Sequence, residues 1–291
     1  MLIYGFKLVV IPFYEEHMVN NNTNHQLSTS FQEKSTETNL DPTSIGTDSI
    51  QNITTKSTQS THVSTSLSSY TIDLRKLDNW LEIRIIDIEF LYGYYEPTLF
   101  ILCESTMTWV GRYAIKKDTC NSVALSLNLN QKTHPVIWPV EKLPSDCLKC
   151  LAVPSPIGGI LLFGVNSLIY INQSVPSYGV SLNSIAKLTS NYPFKNMENT
   201  KITLDSCQAA FIAHDRLLIS LKGGEIYIIT LLTDTESLRT IRSFNIDKGP
   251  GSVIASSIIK CSDSYVFIGS RLGNSVLLKV GIFAKILRRF F

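Results

Sequence analysis

The chain has 291 residues, 44% of them hydrophobic and 17% charged, with a formal net charge of +2. That length holds one or two domains with ample apolar material for a core, and so balanced a charge gives little support to autonomous nucleic-acid binding. Six scattered cysteines are too sparse for a secreted disulfide scaffold, and no uninterrupted apolar run approaches the roughly 18–20 residues of a membrane span.

The chain opens on an apolar stretch, Met1–Phe13, interrupted by Lys7 and followed by no small-residue cleavage site, unlike a signal peptide. Residues 1–14 read as a strand hairpin that turns at Gly5-Phe6 and ends near Pro12. Over 15–69 Ser, Thr, Asn and Gln dominate and aromatics nearly vanish. Such a stretch buries too little apolar surface to offset its ordering entropy, so a long disordered insertion is expected there.

From Tyr70 short strand-like runs recur about every ten residues, as many-stranded β domains require. Ile86, Ile88 and Phe90 alternate with Asp87 and Glu89, the period of a half-buried strand. Further runs follow at Pro97–Leu102, Trp109–Ile115, Ser122–Leu127, His134–Trp138 and Cys150–Val153. Gly159–Val165 and Ser167–Ile171 form a pair hinged at Asn166. The later runs are Ala209–Ala213, Arg216–Leu221, Glu225–Leu232, Ile241–Ile246, Val253–Ile259 and Tyr265–Ile268. No comparably long stretch carries amphipathic helical spacing.

The pattern predicts an all-β fold. Residues 70–279 supply about four to five propeller blades at ~40–50 residues each. The stretch Tyr265–Lys279 places two apolar strands around a turn bracketed by Gly269 and Gly273. Lys222-Gly223-Gly224-Glu225 reads as a second hairpin turn, in preference to an anion-binding nest. Valine at Gly223 or Gly273 is expected to destabilise the fold by forcing a Cβ into a tight turn. Residues 280–291, ending Lys285-Ile286-Leu287-Arg288-Arg289-Phe290-Phe291, form a divergent tail both basic and apolar, a weak candidate for a membrane-surface or partner helix.

Motifs of catalysis are missing: there is no G-x-G-x-x-G, P-loop, G-x-S-x-G or H-E-x-x-H. Cys147-Leu148-Lys149-Cys150 is a C-x-x-C without a second ligand pair for zinc or a βαβ context for redox chemistry, so buried thiols are the favoured account. His214 beside Asp215 lacks a placed nucleophile. A non-enzymatic chain without metal or cofactor is expected. Arg112, Lys116 and Lys117, with Tyr113 among them, form a small basic cluster. An RNA-contacting face is one reading, and a solvated strand edge guarded by lysines is the favoured one.

Several strings carry a resemblance to multi-propeller scaffold proteins of polyadenylation, splicing and damaged-DNA binding. Ile85–Gly93, Val153–Gly159 and the Tyr265–Lys279 hairpin are of the type common to that group. Gly93–Leu99, Trp109 with Gly111-Arg112 and Asp118–Cys120, Gln131–Trp138 with Leu143–Cys147, and Asn166–Pro176 with Tyr178–Val180 resemble one member family. That family is the largest subunit of the cleavage and polyadenylation specificity factor, in its N-terminal propeller region. The match covers about Met1–Phe13 and Tyr70–Lys279, and Val280–Phe291 departs from it.

The resemblance implies a non-catalytic nuclear scaffold in pre-mRNA 3′-end cleavage and polyadenylation. Its implied partners are a WD-repeat subunit and a zinc-finger subunit that read the poly(A) signal, with pre-mRNA reached directly or through them. The alternative is a damaged-DNA-binding or ubiquitin-ligase adaptor of the same propeller type.

Overall fold

The computed structural model describes residues 2–4, 7–12, 68–77, 83–106, 111, 117–197, 200–280 and 286–290. The expected insertion at 15–69 and the expected strand at Trp109–Ile115 lie almost wholly outside them. The described strands belong to one unit, Met1–Ile11 with Ser69–Phe291, and form five sheets in chain order. Sheet one is β1 (Leu2–Tyr4), β2 (Lys7–Val10) and β3 (Tyr70–Asp73). The opening hairpin therefore takes its third strand from beyond the 15–69 stretch.

Sheet two is β4 (Ile83–Leu91), β5 (Thr98–Ser105), β6 (Cys120–Ser126) and β7 (Val136–Leu143). Sheet three holds β8 (Cys147–Ala152), β9 (Ile160–Gly164), β10 (Ser167–Asn172) and β11 (Val175–Ser181), with β12 (Lys195–Asn196) parallel on its outer edge. A short helix, α1 (Ala186–Thr189), lies before β12. Sheet four is β13 (Gln208–Ala213), β14 (Arg216–Ser220), β15 (Glu225–Thr233) and β16 (Ile241–Ser252). Sheet five is β17 (Ala255–Ser262), β18 (Tyr265–Ser270), β19 (Val276–Val280) and β20 (Ile286–Phe290).

Strand alternation explains why these sheets stack. Along β5, Leu99, Ile101 and Cys103 enter the core shared with sheet one, while Phe100 and Leu102 enter the core shared with sheet three. Along β10, Leu168 and Tyr170 face sheet four, and Ile169 and Ile171 face sheet two. A strand covered on both faces reads as a near-continuous apolar run, as both of these do. Four cores thus join the five sheets. First strands also meet one another, β4 with β8 and β13 with β17. This is a partial β-propeller of five blades, in line with the sequence reading.

Several local expectations change. The even alternation of β4 is broken by a bulge between Ile85 and Asp87, so Ile86 packs with one core and Ile88 with the next, and Phe90 is exposed. The left-handed position of the 222–225 turn is Gly224, at φ +89°, whereas a Cβ at Gly223 meets open space. The penalty expected of valine at Gly223 therefore belongs to Gly224. In the tail, Ile286–Phe290 pairs antiparallel with β19 as a strand, which displaces the helix considered for it.

Candidate partner-binding face

Antiparallel order sends alternate connections to opposite ends of the blades. The loops after β4, β8, β10, β13 and β15 share one end. Those after β5, β7, β9, β14 and β18 share the other, which carries the Gly223-Gly224 and Gly273 turns.

At the first end the loops enclose a cleft of about 230 Å³. Tyr92, Gly93, Tyr94 and Tyr95 come from the β4–β5 loop, 155–159 from the β8–β9 loop, Gln173 from the β10–β11 turn and Arg239 from the β15–β16 loop. Tyr95 is fully exposed and Tyr92 is 54% exposed, although both are aromatic. A second cleft of about 590 Å³ adjoins it, with Tyr92 and Ser155 common to both, and brings in Phe211, His214, Ile258 and Lys260.

The floor is held by one phenol. Tyr170 is fully buried on β10, and its single hydroxyl proton is shared between the carbonyls of Gly158, at 3.0 Å, and Arg239, at 2.9 Å. Asn172 Nδ2 donates to the same oxygen at 2.9 Å. Burial pushes the Tyr170 phenol up to about 12 against the pull of the Asn172 amide and the Arg239 charge, so it stays a donor. Gly159 makes the close approach beneath, since its φ is +80° and an added Cβ would lie 2.6 Å from the Ile171 carbonyl. Beside the cleft, Glu96 closes the β4–β5 loop by accepting from Ser126 Oγ and from Asn128 Nδ2. Trp138 Nε1 donates to Tyr94 Oη at 3.1 Å.

The other end is tied by carboxylates and amides. Asp118 accepts from Ser190 Oγ at 2.5 Å and from the Asn191 amide at 3.1 Å. Asp146 accepts from the Asn166 amide, and burial pushes its carboxyl up. Lys117 belongs to this end, and its carbonyl accepts from the Ser145 amide at 3.2 Å. Arg112 and Lys116 lie outside the described residues.

The other residues flagged in the sequence take structural places. A C-x-x-C on a regular strand sends its thiols to opposite faces, but a bulge between Cys147 and Lys149 turns both into the core between sheets two and three. Cys147 meets the Cys120 thiol there, and this contact with burial raises it well above an ordinary thiol. The Cys150 amide donates to Asp87 at 2.8 Å, which ties β8 to β4. Asp215 stands 3.8 Å from Arg216, and His214 is exposed in the second cleft. The Gly224 amide is spent on the Leu221 carbonyl at 2.8 Å, inside the turn. Among the described residues no group of three His, Cys, Asp or Glu side chains is placed to hold a metal ion. No helix among them is long and apolar enough to cross a membrane.

Sequence reading did not single out Arg239 or group the two clefts. The signal that finds them is topological: counting strand reversals places the 92–97, 153–159 and 234–240 loops at one end.

Residues 46–285 match the family model of the RSE1/DDB1/CPSF1 first beta-propeller. The chain is 42% identical over 278 residues to the cleavage and polyadenylation specificity factor subunit 1 of Drosophila melanogaster, covering 96% of this chain and 17% of that protein. It is 40% identical to the Arabidopsis thaliana protein of the same name, over 73% of this chain and 14% of that one. Protein CFT1 of Candida albicans is 29% identical over 73% of this chain and 15% of its own length. The chain thus spans less than a fifth of these relatives. The fruit-fly alignment is long enough to span the 15–69 stretch.

Proposed function

The chain belongs to the RSE1/DDB1/CPSF1 first beta-propeller family, and from that premise we propose that it serves as a non-catalytic scaffold in pre-mRNA 3′-end cleavage and polyadenylation. The observation that carries this reading is the 42% identity over 96% of the chain to a subunit named for that process. A propeller is suited to the role, since its blades are covered face to face and its loops are left for partners. The partners we propose are the WD-repeat and zinc-finger subunits of the polyadenylation factor, in the nucleus. Pre-mRNA is reached directly or through them.

The test is co-purification of the tagged chain from nuclear extract. Recovery of polyadenylation-factor subunits supports the reading. Recovery of a cullin scaffold in their place overturns it in favour of the ubiquitin-ligase adaptor type.

A further inference from the structure

The cleft at the Tyr92–Tyr95 end holds a charge that forms no ion pair among the described residues. That charge is Arg239, which is exposed. No Asp or Glu lines the cleft beside it. A planar guanidinium with free N–H groups is shaped to take a carboxylate through two parallel hydrogen bonds.

The neighbouring surface is aromatic. Tyr92, Tyr95 and Pro156 are all exposed around the same opening. Exposed tyrosine rings beside a shallow groove are the surface on which polyproline II segments pack, because such segments carry flat apolar rings and little conformational entropy to lose. Gln173 stands in the same cleft as an amide able to meet a main-chain carbonyl.

We propose that this end of the propeller binds an extended, proline-containing segment of a partner protein, with prolines on Tyr92 and Tyr95 and an acidic side chain on Arg239. The proposal deepens the scaffold reading above and rests on it for the presence of a protein partner. The Tyr170 hydroxyl pins the loops that carry Pro156 and Arg239 to one another through their Gly158 and Arg239 carbonyls, so the floor is set before the segment arrives. The adjoining cleft continues the groove past Ser155 toward Phe211 and Ile258.

An RNA strand is served less well by the same surface. Its affinity comes chiefly from neutralised phosphates, each needing a cation. The first cleft offers Arg239 alone, and Lys260 in the second is held by Asp263 at 2.8 Å.

The experiment titrates the full chain with a fluorescein-labelled proline-rich peptide carrying one central glutamate, with its glutamine counterpart, and with a labelled oligouridylate. The glutamate peptide is expected to bind about tenfold more tightly than the glutamine peptide, the size of one charge-assisted pair. Arg239→Ala should erase that difference while leaving the glutamine peptide's affinity as it was. Arg239→Lys should restore part of it, and Tyr95→Ala should weaken both peptides. Thermal melting of each variant at the wild-type midpoint keeps the comparison one of binding.

Equal affinity for the two peptides, no saturable binding of either, or oligouridylate binding that Arg239→Ala weakens would each overturn the proposal, the last by assigning the cleft to RNA. Failed peptide binding with intact co-purification removes the cleft alone. Failed co-purification with intact peptide binding removes the scaffold reading alone.

Discussion

Sheets three and five are built from similar strands and end in different environments. In sheet three, β10 sends Leu168 and Tyr170 into one core and Ile169 and Ile171 into the other, so both faces are covered. In sheet five, β18 sends Val266 and Ile268 into the core with sheet four, while Phe267 on the opposite face stays 38% exposed. Its cross-strand neighbour Ile259 is 56% exposed. Both strands carry apolar residues on both faces. What differs is the neighbour, so stability is concentrated where a blade lies between two others.

The largest test of that difference compares two phenylalanines. Phe163 on β9 is almost fully buried in the core between sheets three and four. Phe163→Ala is expected to lower unfolding free energy by about 3–5 kcal/mol, from lost transfer energy and the cavity left behind. Phe267→Ala exchanges a ring already partly in water and should cost no more than about 1 kcal/mol. Urea titrations read both, and equal losses would break the comparison.

Two glycines give the next contrast. Gly159, beside sheet three, and Gly273, in the sheet-five turn, both have positive φ, at +80° and +100°. An alanine at either adopts a left-handed conformation at a cost of about 1–2 kcal/mol. At Gly273 the new methyl meets open space, so the expected loss stops there. At Gly159 it lies 2.6 Å from a backbone oxygen that cannot swing aside, so Gly159→Ala should melt well below Gly273→Ala. A shared melting shift would mean the floor beneath the cleft yields.

Tyr170 sharpens the comparison through pH. Its folded value of about 12 lies above the ordinary 10, so the folded state holds the phenolic proton more tightly than the unfolded chain does. That contribution is fully present below pH 10 and is lost as pH rises through about 12. Tyr170→Phe is expected to flatten the alkaline loss of stability in that window. At neutral pH it should cost about 1–2 kcal/mol for the carbonyls left unpaired.

These contrasts bear on what the sequence makes legible. The β18–β19 hairpin and the β9–β10 pair around Asn166 follow from alternation and turn chemistry, which are local, and the structure carries both. The bulge at Ile86 and the bulge after Cys147 are not local, because an extra residue is defined only against its partner strand. That is why Ile86 and Ile88, expected on one face, pack into different cores, and why two thiols three apart share a core. The choice of Gly224 over Gly223 turns on φ, which a Gly-Gly pair leaves open. The binding face is hardest to read, since Tyr92, Pro156 and Arg239 meet only after strand reversals bring distant loops to one end. Their residue types carry no periodic signal.

The smallest perturbation tests the same difference without changing the fold. Cys147 and Cys150 in sheet three are buried, and burial pushes the Cys150 thiol well up, with the Asp87 and Glu89 carboxylates adding to it. Cys261, on β17 of sheet five, is exposed. The thiolate is the reactive form, so alkylation demands both access to the sulfur and release of its proton. Brief iodoacetamide treatment of the native chain near neutral pH should therefore modify Cys261 and spare the sheet-three pair, as peptide mass mapping would show. Cys261→Ser should abolish that early labelling with no change in melting midpoint. Labelling of Cys150 at the rate of Cys261 would mean that β8 opens to solvent as readily as an edge, and sheet three would lose its standing as the better-covered blade.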